Sequence, residues 1–391
     1  MKVLFLTSPG FGHNLPVVSL AWALRAAGHD VVLGTAGATP AHLPALARSG
    51  LPVVEVATVA QVTDVYRNGT ADVGLGGLSD KELRAMARRA AGTPNHEVDR
   101  PFGALSDVMA DGAVEFARWW RPDLVVHSRL QGAGPLVAAK LGVPAVEHAD
   151  GLTSSREITL KLAAEIDDAY RRHGVAGFPD RHELVDIAPP SMVVSDRGWA
   201  MRHVPYHGGI VLPEWLRRTP DRPRIVITMG SILPMLWPRL RPLRWIPDVA
   251  AGVDAEFVLA LAGVDTSVLG PLPANVRTVT EWLPVDALAA TTHAMIHHGG
   301  SGSMMAALAA GVPQLVLPFV GDEFGNARAV VERGVGIDVD VDRERVTPDV
   351  VRRLLDDEPL RRAAAEVRAE VAAMPSPADL VPRLAELAGS R

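Results

Sequence analysis

The sequence predicts an α/β protein built from two parallel-sheet domains. Short β-branched runs alternate with helical runs almost throughout, a Pro- and Gly-rich stretch without periodicity divides the chain, and each half opens on the same pattern. That pattern is a strand running into a Gly/Ser turn, at residues 2–10 and again at 224–231. Alternation of this kind builds right-handed βαβ units, whose parallel strands are covered by helices on both faces. With 391 residues and 48% hydrophobic content, the chain is long enough for two cores.

The elements follow in order. KVLFLT predicts a first strand, followed by a helix over 14–27, a strand at VVLGT, a helix after Thr39-Pro40 and a strand at PVVEV. Between 61 and 100 the pattern loosens: VGLGG and GTPNH are turn chemistry around a basic amphipathic segment at 80–90, which reads as a disordered loop or a substrate lid. A helix ending at Trp119-Trp120 leads to a strand at 124–127, another helix and a strand at 144–147. A helix over 155–172, a Pro-rich passage and a strand at 192–194 complete a first domain of residues 1–207. Residues 208–223 read as a linker, 224–375 as the second domain, and 376–391 as a final helix that packs back on the first domain. Thr347-Pro348 and Ser376-Pro377 are helix starts with Pro at the first helical position.

The bulk properties exclude several functions. A net charge of −6, with both signs interspersed, gives no footprint for nucleic acid or a membrane surface. The absence of Cys removes disulfides, thiol catalysis and thiolate metal sites together. No apolar run reaches the roughly 20 residues of a membrane span, and Met1-Lys2 leads straight into a strand and Ser8-Pro9-Gly10, unlike a signal peptide. The expectation is a soluble cytoplasmic protein, for which a homodimer is allowed but not demanded.

Residues 292–325 carry the strongest chemical signal. A strand at 294–296 runs into His297-His298-Gly299-Gly300-Ser301-Gly302-Ser303, then a small-residue helix, Gly311 and a strand at 314–317. Such a turn delivers backbone N–H groups and the positive end of a helix dipole to one point, which suits a phosphate. Gly230-Ser231 supplies a second Gly/Ser turn, and convergence of the two fits a diphosphate. The Lys of a P-loop is missing, which disfavours Mg-dependent NTP hydrolysis.

The turn after the first strand begins like a dinucleotide fingerprint, with Gly10 and Gly12, but Leu15 stands at the third position and no acid closes the second strand. What remains is His13, either a helix cap or a general base in a cleft between the two domains. Trp282, followed by Leu283, reads as a base-stacking indole or as a core or surface Trp. Asp322 and Glu323 read as acceptors for sugar hydroxyls, metal ligands, or the start of a helix. No other acid or His has ligand spacing around them, so no metal is expected. His127, His148 and His297 read as structural histidines.

Together, GxGHxxP (Gly10, Gly12, His13, Pro16), TMGS, EWLP, HHGGSGS, AGVPQLVLP and GDEFGNA resemble the family 1 GT-B glycosyltransferases, especially the actinomycete branch that decorates antibiotics. The segment MRHVPYHGG is similar to the spinosyn and calicheamicin members of that branch. The resemblance implies a GT-B fold of two facing Rossmann-like domains with the active site in the cleft between them. It implies inverting, metal-independent transfer from a nucleoside-diphosphate sugar, with no cofactor. His13 would be the base. His298, Gly299, Gly300, Gly302 and Ser303 would bind the diphosphate with Gly230 and Ser231, Trp282 and Leu283 would meet the nucleobase, and Asp322 and Glu323 the sugar.

Three departures refine it. Where many members carry an acid that orients the His, this chain has Ser128, leaving Ser128, Asp99, Asp107, Asp111 or no residue for that role. Ala306 stands where an acid holds both ribose hydroxyls in related plant enzymes, which suits the deoxyribose of a dTDP-sugar. Glu323 stands where Gln is common, which is compatible with a 6-deoxyhexose such as rhamnose. Apolar residues at 102–120 suit a large apolar acceptor such as a macrolide. A nucleotide-sugar epimerase and a non-catalytic sugar-nucleotide-binding auxiliary protein are the alternatives.

Overall fold

A computed structural model describes residues 1–72, 100–152, 156–193, 198–230, 243–319 and 321–390. Of the stretch 61–100 read as a loop or lid, residues 61–72 instead belong to the helix Val59–Asp72, and 73–99, Asp99 included, lie outside the described residues, as does Ser231. Among the described residues the chain forms two compact units, one from the chain up to Gly208 together with Ala373 onward, the other from Gly209–Ala372.

The first unit holds a seven-stranded parallel sheet of β1 (Lys2–Leu6), β2 (Asp30–Ala36), β3 (Val53–Ala57), β4 (Leu124–Ser128), β5 (Ala145–His148), β6 (His182–Asp186) and β7 (Trp199–Ala200), in the order β3-β2-β1-β4-β5-β6-β7. The second holds six parallel strands, β8 (Arg224–Thr228), β9 (Glu256–Ala260), β10 (Val276–Val279), β11 (Ala294–His297), β12 (Gln314–Val316) and β13 (Gly336–Asp338), ordered β10-β9-β8-β11-β12-β13. In each sheet the order reverses beside the unit's first strand, between β1 and β4 and between β8 and β11. Connections on the two sides of such a point leave toward opposite faces, so the carboxyl ends there open a crevice.

Packing explains why the central strands read as nearly continuous apolar runs: Val3, Leu4, Phe5 and Leu6 of β1 are wholly buried. The helix Arg100–Trp120 lays Leu105, Met109, Ala113 and Ala117 into the same core as Leu4, Leu6 and Val125. Burial of Leu105 and of Met109 contributes about 1.5–3 kcal/mol each, and that of each alanine methyl about 0.8 kcal/mol. Gly112 lets this helix touch β3, because a methyl group there would stand 2.2 Å from the Val56 carbonyl oxygen. In the second unit Ile225, Phe257, Ile296 and Leu315 pack with Val351 and Leu354 of the helix Pro348–Asp356, whose first turn is capped by Thr347. The helix Pro377–Gly389 opens on a capping box between Ser376 and Asp379 and belongs to the first unit. There it packs against the helix Val18–Ala26, and Arg383 sits 3.9 Å from the Trp199 ring centroid.

Several elements differ from the sequence reading. The helix expected over 14–27 is two, Phe11–Asn14 and Val18–Ala26, because Pro16 has no N–H to carry the ladder through. The helix expected over 155–172 breaks at Ile166 into Arg156–Glu165 and Asp167–Arg172. No strand begins at Met192, which ends the 3-10 turn Pro190–Met192: Pro189 and Pro190 fix their φ and cannot donate to a sheet. The sheet is completed instead by β6 and β7. No helix among the described residues is long and apolar enough to cross a membrane.

Buried histidines make this fold acid-sensitive. Burial pushes His127 down to about 3, with His182 adding to it, and pushes His148 and His297 down to about 4. All three are neutral when folded, whereas the unfolded chain takes up their protons as pH falls below about 6.5, so stability declines with acidification. At pH 5 each costs about 2 kcal/mol. Urea titrations at pH 7 and pH 5 are expected to show a markedly lower midpoint at pH 5; equal midpoints would contradict the neutral, buried assignment.

Candidate active-site residues

The loops that leave β1 and β4 are stapled together. Ser8 donates its backbone N–H to Ser128 Oγ at 3.2 Å and its hydroxyl to the Leu130 carbonyl at 2.5 Å. Beyond Gly10, whose φ of 114° favours glycine, the chain forms the single helical turn Phe11–Asn14 that carries His13. Asn14, fully buried, anchors that turn by donating to Thr7 Oγ1 at 2.6 Å and to the Ser8 carbonyl at 2.9 Å.

His13 has a carboxylate partner that sequence reasoning missed. Its Nδ1 lies 3.2 Å from Oδ2 of Asp150, two residues past β5, while Oδ1 of Asp150 accepts from Arg129 Nε at 3.2 Å. Burial pushes the Asp150 carboxyl up, but the Arg129 cation and the hydrogen bond from His13 more than offset this, holding it well below the usual carboxylate range. An ionised carboxylate only accepts, so Nδ1 of a neutral His13 carries the proton and Nε2 presents a lone pair. The Phe102 ring packs edge-on against the imidazole, 5.2 Å between centroids.

The other candidates for that partner among the described residues are engaged elsewhere. Asp107 and Asp111 face Arg172 at 3.0 and 3.4 Å, Asp111 also lies 2.8 Å from His173 Nε2, and Ser128 is the acceptor for Ser8. The usable signal was an acid just beyond the apolar strand PAVEH, the neighbour of β4 in the sheet.

In the second unit the two glycine turns do converge, on His298. A methyl group on Gly230 would stand 2.6 Å from its Cε1, and one on Gly300 would stand 2.3 Å from its Nε2. The imidazole therefore lies between the loops after β8 and β11. Burial, then neighbouring His297, push it down to about 3 against the Thr228 backbone, so it is neutral. His297 accepts from the Gly299 N–H at its Nδ1 and thus donates from Nε2 to Gln314 Oε1 at 2.8 Å, a structural role as expected. Gly302 and Ser303 lie in the first turn of the helix Ser301–Ala310, whose N-cap, Gly300, makes no side-chain cap bond. The first N–H groups of a helix lack intrahelical partners and attract anions.

The acid pair divides into two roles. Asp322 is exposed, and its Oδ2 accepts from Ser301 Oγ at 3.1 Å and Asn326 Nδ2 at 3.2 Å. Glu323 is buried: Oε2 accepts from the Phe319 N–H at 2.7 Å, and Oε1 lies 3.8 Å from His298 Nε2. Asn326, also missed, ties the helix Glu323–Arg333 to the glycine turn by donating to the Gly299 carbonyl at 2.9 Å. Its spacing of four from Asp322 was the available signal. Trp282 is 44% exposed, whereas the Leu283 side chain is buried with Val226, Leu288 and Met295. Among the described residues no three His, Asp or Glu are grouped to hold a metal.

Gly230→Ala is strained both by the residue's φ of 63° and by the His298 ring. It is expected to weaken nucleoside-diphosphate binding with the first unit unaffected. Calorimetry with dTDP checks it, and unchanged affinity would remove this turn from the anion site.

Known proteins similar to this chain match it over nearly its full length. The N-terminal domain of erythromycin biosynthesis protein CIII-like proteins matches residues 22–230, and the C-terminal domain of the same proteins matches residues 244–387. The elloramycin glycosyltransferase of Streptomyces olivaceus is 38% identical over 394 residues, 98% of this chain and 97% of its own. The crystal structure of the glycosyltransferase SnogD from Streptomyces nogalater matches with a TM-score of 0.81 at 41% identity, over 100% of this chain and 99% of its own. The spinosyn rhamnosyltransferase SpnG, complexed with thymidine diphosphate, matches with a TM-score of 0.76 at 27% identity, over 98% of this chain and 100% of its own.

Proposed function

This chain belongs to the erythromycin biosynthesis protein CIII-like glycosyltransferases, with the α/β architecture of the GT-B fold, and from that membership we propose a specific reaction. A deoxysugar passes from a dTDP-sugar to a hydroxyl of a large apolar polyketide or macrolide, with inversion and without a metal. The acceptor O–H gives its proton to His13 Nε2 as the oxygen forms its bond to the anomeric carbon, and the bond from that carbon to the diphosphate oxygen breaks on the opposite face. The electron pair leaves with dTDP, whose growing charge meets the N–H groups of Gly302 and Ser303 and the turn around Gly299 and Gly300. Asp322 accepts from sugar hydroxyls, and Trp282 stacks on thymine.

The observation that carries the reading is the His13–Asp150 pair, which fixes a basic Nε2 on a tight turn at the carboxyl end of β1. Two further features support the donor: SpnG is complexed with thymidine diphosphate, and Ala306 is a small, buried residue where a ribose-binding carboxylate would otherwise stand. Rhamnose is the sugar to test first.

The test is incubation with dTDP-rhamnose and other dTDP-deoxysugars against a panel of macrolide and aromatic polyketide aglycones, with and without EDTA. Glycoside of inverted anomeric configuration, formed equally with EDTA, is the expected product. Epimerised sugar nucleotide, or binding without turnover, would overturn the reading in favour of an epimerase or an auxiliary protein.

A further inference from the structure

We propose that Arg129 is a positioning residue for the His13–Asp150 pair, fixing the Asp150 carboxylate on His13 Nδ1 and tempering the pull of that carboxylate on the imidazole. The proposal rests on the reading of His13 as the base. Asp150 is bound once on each oxygen, by Arg129 Nε at 3.2 Å and by His13 Nδ1 at 3.2 Å. The side chains of Arg129 and Asp150 are 12% and 7% exposed, so the carboxylate is removed from water and needs both partners.

The backbone on both sides of Arg129 is tied to the strand end that leads to His13. Ser128 Oγ, just before it, accepts from the Ser8 N–H, and the Leu130 carbonyl, just after it, accepts from the Ser8 hydroxyl. The guanidinium and the imidazole are therefore set by the same stapled pair of loops. The charged and titratable groups that face Asp150 among the described residues are His13, Arg129 and His148, and His148 is kept neutral by burial, at about 4. From the helix Arg100–Trp120 the contact to His13 is the uncharged Phe102. Arg129 is thus the cation on the far oxygen of the carboxylate that meets His13.

Imidazole nitrogen NMR of the full chain, with the His13 signal assigned by its loss in His13→Gln, reads this without any substrate. Wild-type protein is expected to show the Nδ1–H tautomer. Arg129→Met is expected to raise the His13 titration midpoint by about half to one pH unit, the effect of losing a nearby cation. Arg129→Lys, which keeps a cation there, is expected to return the midpoint most of the way to the wild-type value. Should Arg129→Met not fold, Arg129→Gln, which keeps a polar end in the pocket, is read for the same shift. A midpoint and tautomer unchanged in a folded Arg129 variant would overturn the proposal. Full turnover by His13→Gln would sink the base reading instead, while the NMR result for Arg129 would still stand for or against this inference.

Discussion

Replacing His13 by Ala is expected to lower kcat by about two or more orders of magnitude while leaving dTDP affinity nearly unchanged, because general base catalysis is typically worth that much. The reasoning separates two sets of residues. His13 lies on the first unit, stapled at the end of β1, whereas the glycine turns around His298, proposed to hold the diphosphate, belong to the second. Removing the imidazole also removes the edge-on contact with Phe102, a local packing loss that thermal melting would register. Single-turnover rates and dTDP calorimetry on the same preparation check it. Turnover within a few-fold of wild type would show that the base is elsewhere or unnecessary.

Asp150→Asn is expected to approach the same loss, at least about a hundred-fold in kcat, by a different route. Arg129 donates to Oδ1 of the native carboxylate, so it holds the oxygen of the new amide on its own side. The amide NH2 is then turned toward His13 Nδ1, which must become an acceptor, and the ring proton moves to Nε2 where the base is needed. The same substitution leaves the Arg129 cation without its carboxylate, so a lower melting temperature accompanies it. The Asp150→Asn/His13→Ala double variant is expected to be little worse than His13→Ala alone, since the two act as a unit. Additive losses would show that Asp150 works independently of His13.

How much of this was legible depends on the physical origin of each feature. Buried parallel strands must be apolar on both faces, so β1, β4 and β8 stand out as runs of Val, Ile, Leu and Phe. β6 reads HELVD and β7 is two residues long, so neither has such a run, whereas the apolar MVV at 192–194 resembles one although Met192 ends a 3-10 turn. The anion turn was visible because glycines are demanded there: Gly230 and Gly299 have positive φ, and the His298 ring excludes a side chain at Gly300. Asp150 was hidden because its partnership is a fact of topology. His13 and Asp150 are 137 residues apart and meet only because β4 lies between β1 and β5. Leu283 shows the limit of motif reading from the other side, since it neighbours an exposed Trp282 in sequence and yet packs in the core.

The return of the chain to the first unit has a practical corollary for protein engineering. The first unit holds both β1 and the helix Pro377–Gly389, and that helix buries Leu380, Val381 and Leu384. Arg202 also donates its N–H to the Pro375 carbonyl at 2.7 Å, and Arg181 donates to the Leu387 carbonyl at 3.3 Å. A fragment ending at Gly208 would therefore present bare apolar surface and unpaired polar groups. Grafting this unit onto the donor half of a relative takes two crossovers, one near Gly208 and one near Ala373. A hybrid joined at the first alone would carry a foreign terminal helix against a surface it was never selected to fit.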